Sequence, residues 1–223
     1  MNTPLTFALV LALTSSFTAQ ATPSIHSDKE PAMAAPPAVI PTEGKEYITL
    51  KDAVVSQPKV VEFFSFYCGP CYKFVKDYPV TDAINRVIPA GESVTKYHVS
   101  AMGQLGNELT EAWAIAMLTG KTHDVEVPLF EATQGRKLNS IDDIKAIFAK
   151  AGIDANTYES SRNSLMVKGL IAKQQAAMIA FGVQSTPTFY VDGKYKINNG
   201  GISAATPDAY ADAFANVVQA LLK

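Results

Sequence analysis

The sequence has few of the residue types on which several large classes of protein depend. Two of its 223 residues are cysteine, three are histidine and one is tryptophan. Two cysteines are too few for a disulfide-stapled miniprotein, and glycines without a regular repeat exclude a collagen-like chain. Because 48% of the residues are apolar and 18% are charged, the chain can form a real core, which excludes disorder along its whole length.

An excess of charge of one sign is also missing. The 19 basic residues nearly balance the 21 acidic ones, which gives a net charge of −2 and a sequence pI near 5.9. The longest basic cluster is the pair Arg136 and Lys137. A surface that follows a phosphate backbone needs clustered Lys and Arg, so no nucleic-acid partner is expected.

The N-terminal apolar run, residues 5–13, is too short to span a bilayer. It is followed by polar residues 14–16 and by Ala19-Gln20-Ala21, which has the small-x-small pattern of a cleavage site. These features predict a signal peptide over residues 1–21, cleaved after about Ala21, and hence an exported protein in an oxidising compartment, the periplasm. No Lys or Arg precedes Lys29, so an uncleaved N-terminal helix in a cytosolic protein is the alternative.

Residues 22–42 are rich in proline and alanine. Five prolines fall in this stretch, interleaved with alanine, serine and a few charges. Such a composition buries too little apolar surface to offset the entropy of the chain, so we expect a flexible leader. A docking segment for a partner is the alternative, although no residue supports it.

The region after the leader predicts a buried strand followed by a helix. Residues 60–66 are almost continuously β-branched or aromatic, as expected for a central strand that is covered on both faces. Apolar residues at helical spacing then predict a helix that begins within the motif Cys68-Gly69-Pro70-Cys71. We expect Pro79 to interrupt this helix, a second helical piece to be capped near Thr81, and another strand to cover residues 94–99.

The middle of the chain changes to a helical period, so we expect a helical insertion over residues 104–181. Breaks between its helices are predicted at Gly120, Pro128, Gly135 and Gly152. After the insertion, two short strands joined by Asp192-Gly193 predict a hairpin, and Thr206-Pro207-Asp208 predicts the start of a final helix. Residues 43–103 and 182–223 are therefore expected to form one domain interrupted by the helices.

The two cysteines carry the strongest functional signal. Cys68 is expected at the N-terminus of a helix, where free backbone donors and the helix dipole favour the thiolate, and Cys71 one turn further in. This predicts redox chemistry with Cys68 as nucleophile and Cys71 as resolving thiol. A zinc site would need further ligands, of which His98 and His123 are the candidates outside the N-terminal segment, and a bridge that closes so small a loop stabilises little. We expect no metal.

The order of these elements resembles the thioredoxin fold. A strand, the CxxC motif and a helix are followed later by Ser185-Thr186-Pro187-Thr188, a hairpin and a terminal helix. The helical insertion makes the chain similar to the DsbA group of periplasmic thiol oxidases, from about Lys45 to the C-terminus. Matching segments are 62–68, 95–99, 111–114 and 127–131. The resemblance implies an α/β thioredoxin fold, with a central mixed sheet and a helical insertion subdomain.

The same resemblance implies an activity and its partners. The protein would pass its Cys68–Cys71 disulfide to unfolded or folding exported proteins with free thiols, and a DsbB-like membrane partner would reoxidise it. No cofactor beyond this disulfide is implied, and a monomer is expected. An isomerase or reductase is the alternative in the same class; a copper(I) carrier or holdase chaperone is the alternative from another class.

Several residues receive roles through the resemblance. The Thr186–Pro187 peptide bond is expected to be cis and to face the sulfurs, so that Thr186 pairs with an extended substrate. Glu62 matches the family's buried acid, the proton acceptor for Cys71, and Lys96 matches its partner; a Glu62 side chain facing water is the alternative. We expect Met102 to line a substrate groove, and His98 to be a core residue.

Two features depart from the family. Strongly oxidising DsbA proteins carry His before the second Cys, whereas this chain has Gly69-Pro70. Thr186 stands where those proteins have Val, and is similar to isomerases of the DsbC kind. Lys73 and Lys76 are expected in the first turn of the helix, where their positive charge should favour the Cys68 thiolate and partly offset the missing His.

We therefore predict that the protein is a weaker oxidant than DsbA proteins with the His. One pK unit of thiolate stabilisation is worth ~1.4 kcal/mol, and so is a change of about 30 mV in the reduction potential of a two-electron couple. Each lost pK unit therefore lowers the reduction potential by about 30 mV. Equilibration of the purified protein in glutathione buffers measures the potential. A value at the reducing, thioredoxin-like end would contradict the oxidase assignment.

Overall fold

The computed structural model describes residues 40–223. The predicted signal peptide and residues 22–39 of the predicted leader lie outside the described residues. None of the helices in the described part of the chain combines the length and the apolar composition that a membrane span requires.

The described residues form five strands and eight α-helices. The strands are β1 (Tyr47–Thr49), β2 (Val60–Phe64), β3 (Thr95–His98), β4 (Thr188–Val191) and β5 (Tyr195–Ile197). The helices are α1 (Gly69–Lys76), α2 (Val80–Val87), α3 (Gly106–Thr119), α4 (Thr122–Gln134), α5 (Ile141–Lys150), α6 (Ala155–Arg162), α7 (Leu165–Ala180) and α8 (Pro207–Leu221).

The strands form one mixed sheet in the order β1-β5-β4-β2-β3. The central strand β2 runs parallel to β3 and antiparallel to β4, and all five of its residues are buried. Helices α3 to α7 lie in sequence between β3 and β4. The predicted fold class, a central mixed sheet with a helical insertion, is confirmed. Strand β1 was not predicted, because its three residues are mostly exposed and carry no buried run.

Both faces of β2 are covered by apolar side chains, as its sequence predicted. Val61 and Phe63 pack with residues of α7 and its C-terminal end, including Phe181. On the other face, Val60 belongs to a core formed with α2 and α8. Phe64 belongs to a third core, formed with the helical insertion and the CxxC motif.

Two helix boundaries differ from the predictions. Pro128 lies inside α4 and does not break it. Its neighbours Val125, Leu129 and Phe130 are buried. The free energy that their packing contributes exceeds the cost of the hydrogen bond that proline cannot donate. Helix α2 begins at Val80 without a side-chain cap.

Phe130 connects the insertion to the CxxC region. Its ring centroid lies 4.8 Å from that of Phe66, 5.8 Å from that of Phe64, and 5.6 Å from that of Tyr72 on α1. Aromatic pairs at such distances add to the free energy gained by burial. This residue therefore joins α4 to both elements that carry the motif.

We predict that Phe130→Ala lowers the free energy of unfolding by about 3–5 kcal/mol, because it leaves a cavity in this core. Ile179→Ala is the matched control: Ile179 is 74% exposed on α7, so its truncation is expected to change stability by less than about 0.5 kcal/mol. Urea unfolding measures both values. Equal effects of the two substitutions would contradict this account of the core.

Candidate active site

The CxxC motif lies at the N-terminus of α1, one turn after the end of β2. Cys68 is the N-cap residue, with extended backbone angles of φ −86° and ψ 111°. Its Sγ accepts a hydrogen bond from the Cys71 N–H at 3.1 Å, and its carbonyl accepts one from the Tyr72 N–H. Gly69 and Pro70 form the start of the helix. A backbone N–H in this first turn has no acceptor within the helix, so proline, which has no N–H, loses no hydrogen bond there.

Cys68 and Cys71 form a disulfide bond. Both side chains are buried in the core that contains Phe66 and Phe130. Because Cys68 Sγ lies at the helix N-terminus and accepts the Cys71 N–H, reduction would leave a negative charge on this sulfur in a favourable place.

A second loop approaches the disulfide from β4. The Thr186–Pro187 peptide bond is cis, as the resemblance implied. The Thr186 carbonyl oxygen lies 3.4 Å from Cys68 Sγ. The Thr186 hydroxyl contacts the sulfur of Met102 at 3.9 Å, and Met102 is 38% exposed. The fold thus brings Cys68, Thr186, Pro187 and Met102 together at one surface, although they are far apart in sequence.

Glu62 and Lys96 are neighbours in the register of β2 and β3. Lys96 Nζ lies 3.1 Å from Glu62 Oε2, and Thr81 of α2 donates its hydroxyl to the same oxygen at 3.2 Å. The Glu62 side chain is 1% exposed, so it pairs with Lys96 and does not face water. Thr81 was predicted as a helix cap and instead serves this carboxylate.

Burial determines the electrostatics of this pair. Loss of hydration raises the pKa of Glu62 above its ordinary value, although Lys96 acts against it. Burial also works to lower the pKa of Lys96, but two nearby carboxylates, Glu62 and Glu126, outweigh it and raise that pKa. Glu126 of α4 contacts Lys96 Nζ directly. No sequence pattern marked Glu126, because it reaches Lys96 only through the packing of α4.

The strand end before the motif is held by two side chains from distant elements. His98 Nε2 accepts the Phe66 N–H at 3.3 Å, and Gln134 Nε2 donates to the Phe66 carbonyl at 2.8 Å. Sequence reasoning did not identify Gln134, since an amide at the end of an amphipathic helix carries no functional signal. These bonds fix the backbone two residues before Cys68.

Lys73 and Lys76 do not lie where the sequence placed them. Both belong to the last turn of α1, where positive charge complements the C-terminal end of the helix dipole. Lys76 Nζ donates to the Tyr72 hydroxyl at 3.1 Å. The predicted position of these lysines in the first turn is therefore wrong.

The structure also bears on the metal alternative. Among residues 40–223, no group of three or more His, Cys, Asp or Glu side chains is arranged to hold a metal ion. His98 is a core residue, as predicted: its Nδ1 lies 2.8 Å from the Thr110 hydroxyl. Burial lowers the pKa of His98 from 6.5 to about 3.

We predict that His98 makes folding sensitive to acid. The unfolded protein binds a proton at this residue below pH 6.5, whereas the folded protein does so only near pH 3, so stability is lost as the pH falls between these values. The contribution of one such group approaches ~1.4 kcal/mol per pH unit. Urea unfolding between pH 7 and pH 4 should therefore show a shallower pH dependence for His98→Asn than for the wild type; parallel curves would contradict a neutral buried imidazole.

Comparisons with known proteins agree with this arrangement. The DSBA-like thioredoxin domain matches residues 59–215. Thiol:disulfide interchange protein DsbA of Salmonella typhimurium is 42% identical over 182 residues, which cover 81% of this chain and 88% of the relative. The crystal structure of DsbA from Klebsiella pneumoniae is similar with a TM-score of 0.80 and 42% identity, over 83% of this chain and 99% of that one.

A further solved structure is similar along most of the chain. It is a complex of Proteus mirabilis DsbA with a non-covalently bound peptide, PWATCDS, with a TM-score of 0.79 and 40% identity, over 82% of this chain and 99% of that one. Fold, disulfide and sequence identity all agree. The chain belongs to the DsbA-like thioredoxin domain family, as a homologue of thiol:disulfide interchange protein DsbA with a CxxC disulfide at Cys68 and Cys71.

Proposed function

We propose that this thiol:disulfide oxidoreductase acts as a dithiol oxidase, with Cys68 as the sulfur that substrates attack. The observation that carries the proposal is the position of Cys68 Sγ. It accepts the Cys71 N–H at the start of α1 and lies 3.4 Å from the Thr186 carbonyl. Cys68 is the leaving sulfur of the second step of the exchange, and this position stabilises the negative charge that it then carries. Cys71 leaves in the first step and must take up a proton.

The exchange proceeds in two steps. A substrate thiolate attacks Cys68 Sγ, the Cys68–Cys71 bond breaks, and its electron pair passes to Cys71. A second substrate thiolate then attacks the substrate sulfur of the mixed disulfide, which releases Cys68 as a thiolate at the helix N-terminus. The substrate is oxidised by two electrons, and the protein is reduced by two.

Glu62 supplies and removes the proton of Cys71. Its carboxyl group is buried, and its Oε1 has no hydrogen-bond partner among the described residues. Because burial raises the pKa of Glu62, the group holds a proton more readily than an exposed carboxyl. It gives this proton to Cys71 when the disulfide opens, and accepts it again when Cys71 attacks during reoxidation.

The loop before β4 positions the substrate. Thr186 presents a backbone carbonyl beside Cys68, and an extended peptide can pair with such a backbone as an added strand does. Met102 lies next to Thr186 and is half-exposed, which suits an apolar substrate side chain. The peptide bound to Proteus mirabilis DsbA supports this kind of ligand. Gly69, Pro70, Lys96 and Pro187 support the site without exchanging electrons.

The substrates would be exported proteins with free thiols, and the compartment would be the periplasm. The small-x-small pattern at residues 19–21 and the relationship to DsbA support this assignment. Since each turnover leaves Cys68 and Cys71 reduced, the protein needs an oxidant, and we propose a membrane partner similar to DsbB.

We predict that Cys71→Ser accumulates a mixed disulfide through Cys68 with a substrate that itself carries a disulfide. The Cys68 thiolate attacks that disulfide, one substrate sulfur leaves as a thiolate, and the Cys71 thiol that would displace the bound substrate is missing. Cys68→Ser is the matched control and should form no such adduct. Non-reducing electrophoresis and mass spectrometry identify the bonded cysteine. Adduct formation by Cys68→Ser alone would reverse the assigned roles, and a holdase would retain its activity in both variants.

The role of Glu62 is tested in the same assay with the wild-type cysteines. Glu62→Gln should slow disulfide transfer to a thiol peptide by at least about tenfold, because a general acid is lost. Glu92→Gln is the control, since Glu92 is exposed in the turn before β3. Equal rates for Glu62→Gln and Glu92→Gln would reject the proton role of Glu62 and leave the assignment of Cys68 intact.

A further inference from the structure

A cleft of about 390 Å³ opens between α2, β3, α3 and α4. Its lining includes Thr81 of α2, Lys96 of β3 and Glu126 of α4. Thr81 and Lys96 are the two groups that contact the Glu62 carboxylate. The cleft therefore leads to the immediate neighbours of the buried acid.

Two carboxylates share one ammonium group at the floor of this cleft. Lys96 Nζ lies 3.1 Å from Glu62 Oε2 and also contacts Glu126 Oε1. The side chains of Glu62, Lys96 and Glu126 are 1%, 8% and 17% exposed. The three groups thus form a graded series, in which Glu62 is the most buried and Glu126 is the nearest to water.

The charges of this group do not balance. If all three side chains are ionised, the cluster carries one uncompensated negative charge, and burying such a charge is costly. A single proton on one carboxyl group removes the imbalance. The proton is expected on Glu62, because the more buried carboxyl loses more hydration when it ionises.

We propose that Glu126 is a positioning residue for the proton of Glu62: by holding Lys96 from the cleft side, it keeps Glu62 protonated while the disulfide is intact. The inference rests on the proposed role of Glu62 as the proton donor to Cys71. It adds a residue from the helical insertion to the control of the redox reaction.

The proton balance follows the exchange reaction. When the Cys68–Cys71 bond breaks, Cys71 takes the bonding electron pair and the proton of Glu62, and Glu62 becomes a carboxylate paired with Lys96. During reoxidation, Cys71 returns that proton as it attacks. Glu126 keeps its contact with Lys96 throughout, and the cleft gives Thr81 and Lys96 access to solvent for proton exchange.

Other titratable groups face the same cleft and must be considered. Asp82 of α2 and His123 of α4 also line it. The charged groups that act on Glu62 itself are Lys96, which lowers its pKa, and Glu126, which raises it. Removing the charge of Glu126 therefore leaves Lys96 to Glu62 alone and favours the ionised form of Glu62.

Infrared spectroscopy of the disulfide form, titrated with pH, tests the proposal. A protonated buried carboxyl gives a C=O stretching band, and the component that Glu62→Gln removes belongs to Glu62. In Glu126→Gln this component should titrate at lower pH than in the wild type. The matched control is Glu131→Gln, which removes an exposed carboxylate from the same helix and should leave the titration unchanged.

Each outcome has a defined meaning. An unshifted Glu62 band in Glu126→Gln overturns the proposal. A band that is lost in Glu126→Gln but kept in Glu62→Gln also overturns it, because the proton would then reside on Glu126. If Glu62→Gln removes no band, the proposed role of Glu62 falls and this inference falls with it. A Glu62 band that is present but insensitive to Glu126 rejects this inference alone.

A second variant separates charge from packing. Glu126→Asp keeps the negative charge and should hold the Glu62 titration closer to the wild type than Glu126→Gln does. An equal shift in both variants would assign the effect to packing and contradict the proposal. The pH dependence of disulfide transfer should move in the same direction for Glu126→Gln, and this movement should vanish when Glu62 is already Gln.

Discussion

The hydrogen bond from the Cys71 N–H to Cys68 Sγ is the interaction on which the active site depends. It exists because β2 ends just before the motif and α1 begins within it, so that the sulfur occupies the place of a helix cap. The aromatic core around Phe66 and Phe130 and the two bonds to the Phe66 backbone hold that junction in place. The helical insertion thus serves the cysteine chemistry by fixing the start of one helix.

A buried charge cluster lies behind this apolar junction. Glu62 interrupts the otherwise apolar strand β2, and it is tolerated because Lys96 and Thr81 satisfy one of its oxygens. Its other oxygen has no hydrogen-bond partner among the described residues, which is costly for a purely structural group. The proposed transfer of a proton from Glu62 to Cys71 and back would give this cost a function. In that proposal, the contact of Glu126 with Lys96 links the proton to the insertion and to the cleft.

Sequence reasoning found the residues whose signals are local. The buried run of β2, the CxxC spacing and the cap of α8 at Thr206 each follow from neighbours within a few positions. Sequence reasoning was wrong about Pro128, which remains inside α4, and about Lys73 and Lys76, which lie in the last turn of α1. Where a helix continues and where it ends depends on packing with other elements. The same reasoning did not find Glu126 or Gln134, because a polar residue on an amphipathic helix does not show which distant group it reaches.

The sequence by itself therefore determined the redox pair, the strand and helix that present it, and the family to which the chain is similar, since these depend on short-range spacing. Only the tertiary structure decided that Thr186 lies beside Cys68, that Lys96 is shared by Glu62 and Glu126, and that Gln134 and His98 hold the Phe66 backbone. These contacts join elements far apart in the chain, and their distances are set by how the insertion packs on the sheet. The residue types determine the chemistry of the side chains, but the fold creates the electrostatic environment of each group.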